Sequence, residues 1–199
     1  MALARGNLRL VSDEGTTIPS DGELVTRVLA GELDLREQLY RRHVDYVSGI
    51  AARILRSMDQ AEDAVQEIFV HAFRKLALLR NRDAFRPWIA AITVRIVQRK
   101  LRRQRWLRLV GVVGESDASL DLLASPGASP ETLADLAALD VVLQRLPADQ
   151  RIAWVLRHVE GEKLEDFAAA CDVSLSTAKR WITAAEETVR AELGEVFHG

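Results

Sequence analysis

A single cysteine, Cys171, stands in 199 residues, which excludes an internal disulfide framework. The four histidines are scattered, so no metal-ligand cluster is spelled out. No apolar run approaches the roughly 20 residues needed to cross a bilayer. The N-terminus also lacks the basic-then-apolar pattern of a secretion signal. There is no Gly-rich phosphate loop and no His/Cys/Asp grouping that would mark a nucleophile, which leaves an enzyme with little support. Strand-like alternation and internal repeats are missing too. These absences predict an all-α chain that needs no cofactor or metal and works in a reducing cytoplasm.

What is present is charge, unevenly placed. The formal net charge is only −2. Residues 35–108 nevertheless carry seventeen Lys/Arg against seven Asp/Glu, and residues 109–199 carry seven against sixteen. A basic middle block beside an acidic C-terminal block implies two units with different electrostatic partners, and the basic one suits a polyanion.

Residues 59–76 show the clearest helical pattern. Ala61, Val65, Ile68, Phe69, Ala72, Phe73 and Leu76 fall on one side, and Glu62, Asp63, Gln66 and Glu67 on the other. Asp59 stands where an N-cap would, and Arg74 and Lys75 suit the last turn. Upstream, Ser20-Asp-Gly-Glu reads as a helix start, and a helix over 34–57 buries Leu39, His43, Tyr46, Val47, Ile50 and Ile54. On that stripe His43 reads as a packed histidine rather than a proton carrier. Downstream, a polar loop precedes Pro87, which fits the first turn of a helix. That helix carries an apolar stripe (Phe85, Trp88, Ile89, Ile92, Ile96) and a cationic one (Arg95, Arg99, Arg102, Arg103).

The C-terminal part reads as a helix-turn-helix. A first helix over 163–170 turns Leu164, Phe167 and Ala168 inward, and a turn follows at Cys171-Asp-Val-Ser174. The second helix is capped by Ser174 and buries Ala178, Ile182, Ala185 and Val189. Ser176, Thr177, Lys179 and Arg180 then face outward, where the second helix of such a motif meets the major groove.

Two stretches together resemble the extracytoplasmic-function (ECF) group of bacterial RNA polymerase sigma factors. Ala61-Glu-Asp-Ala-Val-Gln-Glu-Ile-Phe69, followed by Trp88-Ile-Ala-Ala-Ile92 and a basic tail, is similar to region 2 of that group. Leu146-Pro147, Arg151, Glu160-Gly161, Glu165, Phe167, Ala168, Ser174, Thr177, Ala178 and Lys179 are similar to region 4. The resemblance implies an N-terminal extension (1–20), a region 2-like domain (21–106), an acidic flexible linker (107–129) and a region 4-like domain (130–195). It implies core RNA polymerase, promoter DNA and an anti-sigma factor as partners. It assigns Glu62, Asp63, Gln66 and Glu67 to polymerase. Asn81, Arg82, Phe85, Trp88, Arg95, Arg99 and Arg102 go to the −10 element, which is recognised and melted there. Ser176, Thr177, Lys179 and Arg180 go to the −35 element. In the linker, Glu115, Asp117 and Asp121 are candidates for mimicking nucleic acid near the polymerase active centre.

Three departures from the family pattern bear on this. Arg95 and Arg99 stand where the group usually has Asn and Asp, which should strengthen non-specific phosphate binding. Asp172 stands where the turn commonly has Gly; Asp tolerates the left-handed conformation better than most residues. Trp181, Ala184 and Glu186 replace residues often basic, so the acidic C-terminal unit is expected to bind DNA weakly unless tethered to polymerase. The competing readings are a DNA-binding regulator that acts without polymerase and an anti-sigma or decoy scaffold. Residues 62–69 followed by Trp88 argue against a mere sensor module.

Overall fold

The computed structural model describes residues 18–109 and 129–194. Both are helical almost throughout, and no strand occurs among the described residues. The helices are α1 (Asp21–Leu29), α2 (Leu35–Leu55), α3 (Met58–Lys75), α4 (Phe85–Leu109), α5 (Pro130–Arg145), α6 (Ala148–Trp154), α7 (Leu164–Cys171) and α8 (Leu175–Leu193). Of the expected flexible stretches 1–20 and 107–129, residues 1–17 and 110–128, with Glu115, Asp117 and Asp121, lie outside the described residues, while 107–109 still belong to α4.

The local signals act largely as expected. Ser20 closes a reciprocal capping box with Glu23 at the start of α1. Ser129 and Ser174 cap α5 and α8. Asp172 ends α7 at φ 58°, ψ 46°, so an aspartate does hold the left-handed position. One cap differs. Ser57, in an extended conformation, accepts from the Gln60 N–H and caps α3 two residues before the expected Asp59 cap. Beyond α3 the chain tightens into a 3-10 turn at Leu76–Leu78, and beyond α6 it loosens into a π turn at Val155–Val159.

Helices α2, α3 and α4 pack mutually and bury the stripes read from the sequence: Leu39, Tyr46, Val47, Ile50 and Ile54 meet Ala61, Val65, Ile68, Ile89 and Ile96. Gly22 lets α1 approach the Arg82–Ala84 turn, since a Cβ there would lie 2.0 Å from the Asp83 Oδ1. Helices α5, α6 and α7 pack around α8 or one another, with a separate small cluster of Leu139, Val142, Leu143, Leu146, Ala185 and Val189.

The two units do not stand apart. α7 packs on α4, and Ile152, Val155, Leu156, Phe167, Ala168 and Ile182 join the same buried cluster as α2–α4. An apolar face on α6 and α7, beside arginines of one unit and carboxylates of the other, accounts for the contact. Tyr46 Oη donates to Glu162 Oε1 at 2.8 Å, and Arg86 meets the same carboxylate at 3.0 Å. Arg53 reaches Glu160 at 3.2 Å and Arg56 reaches Asp140 at 2.7 Å.

Candidate nucleic-acid and protein interfaces

Helix α3 sorts its side chains as the periodicity requires. Ala61, Ala64, Val65, Ile68, Phe69 and Ala72 are buried, while Glu62, Asp63 and Gln66 are exposed. The fourth member, Glu67, is half-buried and holds an ion pair with Arg99 of α4. Beside the acidic face runs an open groove of about 750 Å³ between α2 and α3, lined by Val44, Ala52, Met58, Glu62 and Gln66 and by Glu160 of the other unit. Acceptors beside a cleft of mixed apolar and acidic lining suit a protein partner with basic side chains around apolar anchors.

The cationic track lies on α4. Trp88, Arg95, Arg99 and Arg102 recur at seven-, four- and three-residue steps and share a face. The three arginines are exposed and Trp88 is half-buried, its ring 5.9 Å from that of Phe85. Asn81 and Arg82 are exposed in the preceding loop. Asn81 Oδ1 accepts from the Asp83 N–H, and Arg82 donates to Thr26 Oγ1 at 2.9 Å. Phe85 requires a correction. It is fully buried, with its ring 5.0 Å from that of His43, and offers no face on which a base could stack. Being the first residue of α4, it is turned to the core by the same stripe that buries Ile89 and Ile92.

His43 is a packed residue, as its stripe suggests. Buried against Phe85, it sits 2.9 Å from Asp21 Oδ2. Burial alone would raise the Asp21 pKa, but the hydrogen bonds and charges of His43 and Arg42 outweigh it and hold the carboxyl below its usual range. This pins α1 to α2.

In the C-terminal unit, Ser176, Lys179 and Arg180 are exposed near the N-terminus of α8, and Thr177 is half-buried. The Ser174 hydroxyl accepts from the Thr177 N–H and bonds the hydroxyls of Ser176 and Thr177, so both candidate hydroxyls take part in the cap. Lys179 and Arg180 remain as projecting cations at a helix end whose dipole favours anions. Glu186 is held by His158 at 3.0 Å, and Trp181 packs edge-on to Phe167. Burial, with a smaller contribution from Asp149, pushes the Cys171 thiol up to about 12, so it stays protonated and inert at neutral pH. No cluster of possible metal ligands and no helix long and apolar enough to cross a membrane occurs among the described residues.

The candidates read from the sequence thus form three surfaces: an acidic face, a cationic track and a recognition-helix end. Sequence reasoning missed a fourth group, Tyr46, Arg86 and Glu162. The Arg86 guanidinium lies 3.8 Å from the Tyr46 ring centroid, stacked on it while bonding Glu162.

Comparison with known proteins follows the same division. A family model described as Sigma-70 region 2 matches residues 39–107, and one described as Sigma-70, region 4 matches residues 136–189. The ECF RNA polymerase sigma-E factor of Escherichia coli is 30% identical over 178 residues, covering 85% of this chain and 92% of that protein. The probable RNA polymerase sigma factor RfaY of Xanthomonas campestris is 31% identical over 81% of this chain, which spans only 42% of that longer protein. Among solved structures, the sigma factor RpoE in complex with the anti-sigma factor NepR from Bartonella quintana matches with a TM-score of 0.65 at 24% identity, covering 81% of this chain and 97% of that one.

Proposed function

The chain belongs to the ECF group of sigma-70 family sigma factors, and we propose which of its residues carry out the steps of that role. As an alternative sigma factor it directs RNA polymerase to promoters to initiate transcription; it is an initiation factor and not an enzyme. In our reading its N-terminal unit extends over 21–106 and its C-terminal unit over 130–195, and it works in the cytoplasm, where polymerase and promoters are.

Glu62, Asp63 and Gln66 are the docking residues for core polymerase. The observation that carries this is the exposed row of acceptors on α3, which no structural partner within the described residues satisfies and which borders a partly apolar groove. Glu67 contributes less directly, since Arg99 already holds it. On α4, Arg95, Arg99 and Arg102 bind the phosphates of the −10 element, and Trp88 supplies the partly open aromatic face that a separating strand needs. Asn81 and Arg82 flank the site where a base is drawn out. Lys179 and Arg180, with Ser176 and Thr177 at the helix end, meet the −35 element. An anti-sigma factor is the partner proposed to hold the chain inactive; the Bartonella structure is a relative in such a complex.

The test is binding of the purified chain to bacterial core polymerase beside a Glu62→Ala/Asp63→Ala/Gln66→Ala variant. The triple change is expected to weaken binding tenfold or more, about 1.4 kcal/mol. Equal affinity of the two proteins would remove α3 from the interface.

A further inference from the structure

Trp106, near the end of α4, is 62% exposed, the most exposed aromatic side chain among the described residues. It meets no other ring and no guanidinium among them. A lone surface tryptophan would mean little; its place on the helix is what matters. An α-helix turns through about 100° per residue, so the steps from Trp88 to Trp106 make about five whole turns. The two indoles therefore stand on one line along α4, about 27 Å apart. Arg95, Arg99 and Arg102 lie between them, each within about 40° of that line. All three are exposed. Arg99 pairs with Glu67, while Arg95 and Arg102 form no ion pair among the described residues.

The far end of this line is anchored from behind. Leu101 is buried, and the Gln104 side-chain amide donates to Gln60 of α3 on the opposite side of the helix. Trp106 faces away from that contact and continues the row begun by Trp88.

We propose that Trp106 is a second stacking site for an unpaired base. A single strand of DNA runs along the outer line of α4, with its phosphates on Arg95 and Arg102 and on Arg99 in place of Glu67. One of its bases lies against Trp88 and another against Trp106. The inference rests on the cationic-track reading given above and extends it past Arg102 to the last turns of the helix. At the stacked spacing of about 3.4 Å per nucleotide, the line spans about eight nucleotides. Indole faces accept any base once it is unpaired, and cations between them hold the backbone, which is the combination single-strand binding needs. A duplex keeps its base faces covered and would use the arginines alone. A lipid surface needs a continuous apolar face to sink into, and α4 gives its apolar side to the core.

The experiment titrates the full chain into a labelled oligothymidine of about twelve nucleotides, and separately into a duplex of the same length, over a range of salt. The variants are Trp106→Leu, Trp106→Phe, Arg95→Ala and Arg102→Ala. Because Trp106 is exposed, its replacement is expected to leave helix content unchanged. Trp106→Leu is expected to weaken strand binding about tenfold at every salt concentration, with the salt slope unaltered because no charge is lost. Trp106→Phe should keep most of the affinity, and each arginine variant should flatten the slope. Duplex binding should ignore Trp106→Leu. A strand affinity indifferent to Trp106→Leu, or equal losses on strand and duplex, would overturn the proposal. So would an indole emission shift on phosphatidylserine vesicles that the strand does not produce. Arginine variants without effect, or no strand binding by the unaltered chain, would overturn the cationic-track reading as well. A silent Trp106→Leu beside affected arginine variants would remove only the second base site.

Discussion

The α1–α4 unit and the α5–α8 unit are both helical, yet they hold together differently. The first is basic and has a deep core of its own: Phe85, Leu39, Ile50, Ile54, Ile68 and Ile89 are all essentially inaccessible. The second is acidic and alanine-rich inside, with Ala153, Ala168, Ala170, Ala178 and Ala185 buried. Its separate cluster is small, and its largest inaccessible side chains, Phe167, Ile152 and Leu156, belong to the core it shares with the first unit. Alanine permits close helix crossings but removes little apolar area from water, so the second unit gains stability by leaning on its neighbour. The same asymmetry runs through the charges. The first unit carries the cations a polyanion needs, whereas the second offers carboxylates that the first unit's arginines hold.

The largest expected effect lies in the deep core. Phe85→Ala should cost about 3–5 kcal/mol in urea unfolding of the whole chain. A DNA-stacking role for that ring would instead leave stability nearly intact while lowering promoter opening. Next comes the contact between the units. Tyr46→Phe removes a bond to a buried carboxylate and should cost about 2 kcal/mol, with faster hydrogen exchange in α6 and α7 before any change in α3. Uniform loss in both units would mean that they unfold as one body. Ser174→Ala should cost about 1 kcal/mol and fray the start of α8, lowering −35 contact without touching polymerase binding.

The smallest effects concern pH and have opposite signs in the two units. The Asp21 carboxyl is held below its usual range, so its contribution is present above the unfolded value and is lost as pH falls through the lower folded one. Exchange of α1 amides should therefore accelerate below about pH 4. The Glu160 carboxyl is raised, because burial outweighs the attraction of Arg53 and Arg86 and Glu162 repels it. Its folded form binds a proton more tightly than the unfolded one, so its contribution is favourable in acid and fades as pH rises through the raised value. Glu160→Gln is accordingly expected to leave stability unchanged or slightly increased at neutral pH, and a marked loss would show that the Arg53 pair outweighs the burial cost.

Much of this was legible in the chain itself, and the reasons differ by residue. Ser20 with Glu23, Ser174, and the stripes of α2, α3 and α8 are local signals of three- and four-residue spacing, and the structure follows them. Asp172 was legible because few residues but Gly, Asn and Asp accept a left-handed turn. Phe85 was misplaced because the first residue of a helix can be read either with the preceding loop or with the core stripe, and its packing on the buried His43 puts it in the core. The α3 cap shifted to Ser57 because both Ser57 and Asp59 are good capping residues. The meeting of Tyr46, Arg86 and Glu162 left no trace, since their bonds cross 116 and 76 positions and no periodicity records such contacts. The docking of one unit on the other was hidden for the same reason; opposite charge blocks hinted at it but fixed no geometry.

The division of labour between a basic unit that docks and holds and an acidic unit that reads DNA only when tethered is best tested by promoter affinity at physiological salt, measured for the polymerase-bound chain and for the isolated segment 130–199. Tight binding by the complex and binding at least a hundredfold weaker by the segment, about 2.7 kcal/mol, is the expected result. Comparable affinity for both would contradict it, and would mean that Ser176, Thr177, Lys179 and Arg180 read the −35 element without the help of the first unit.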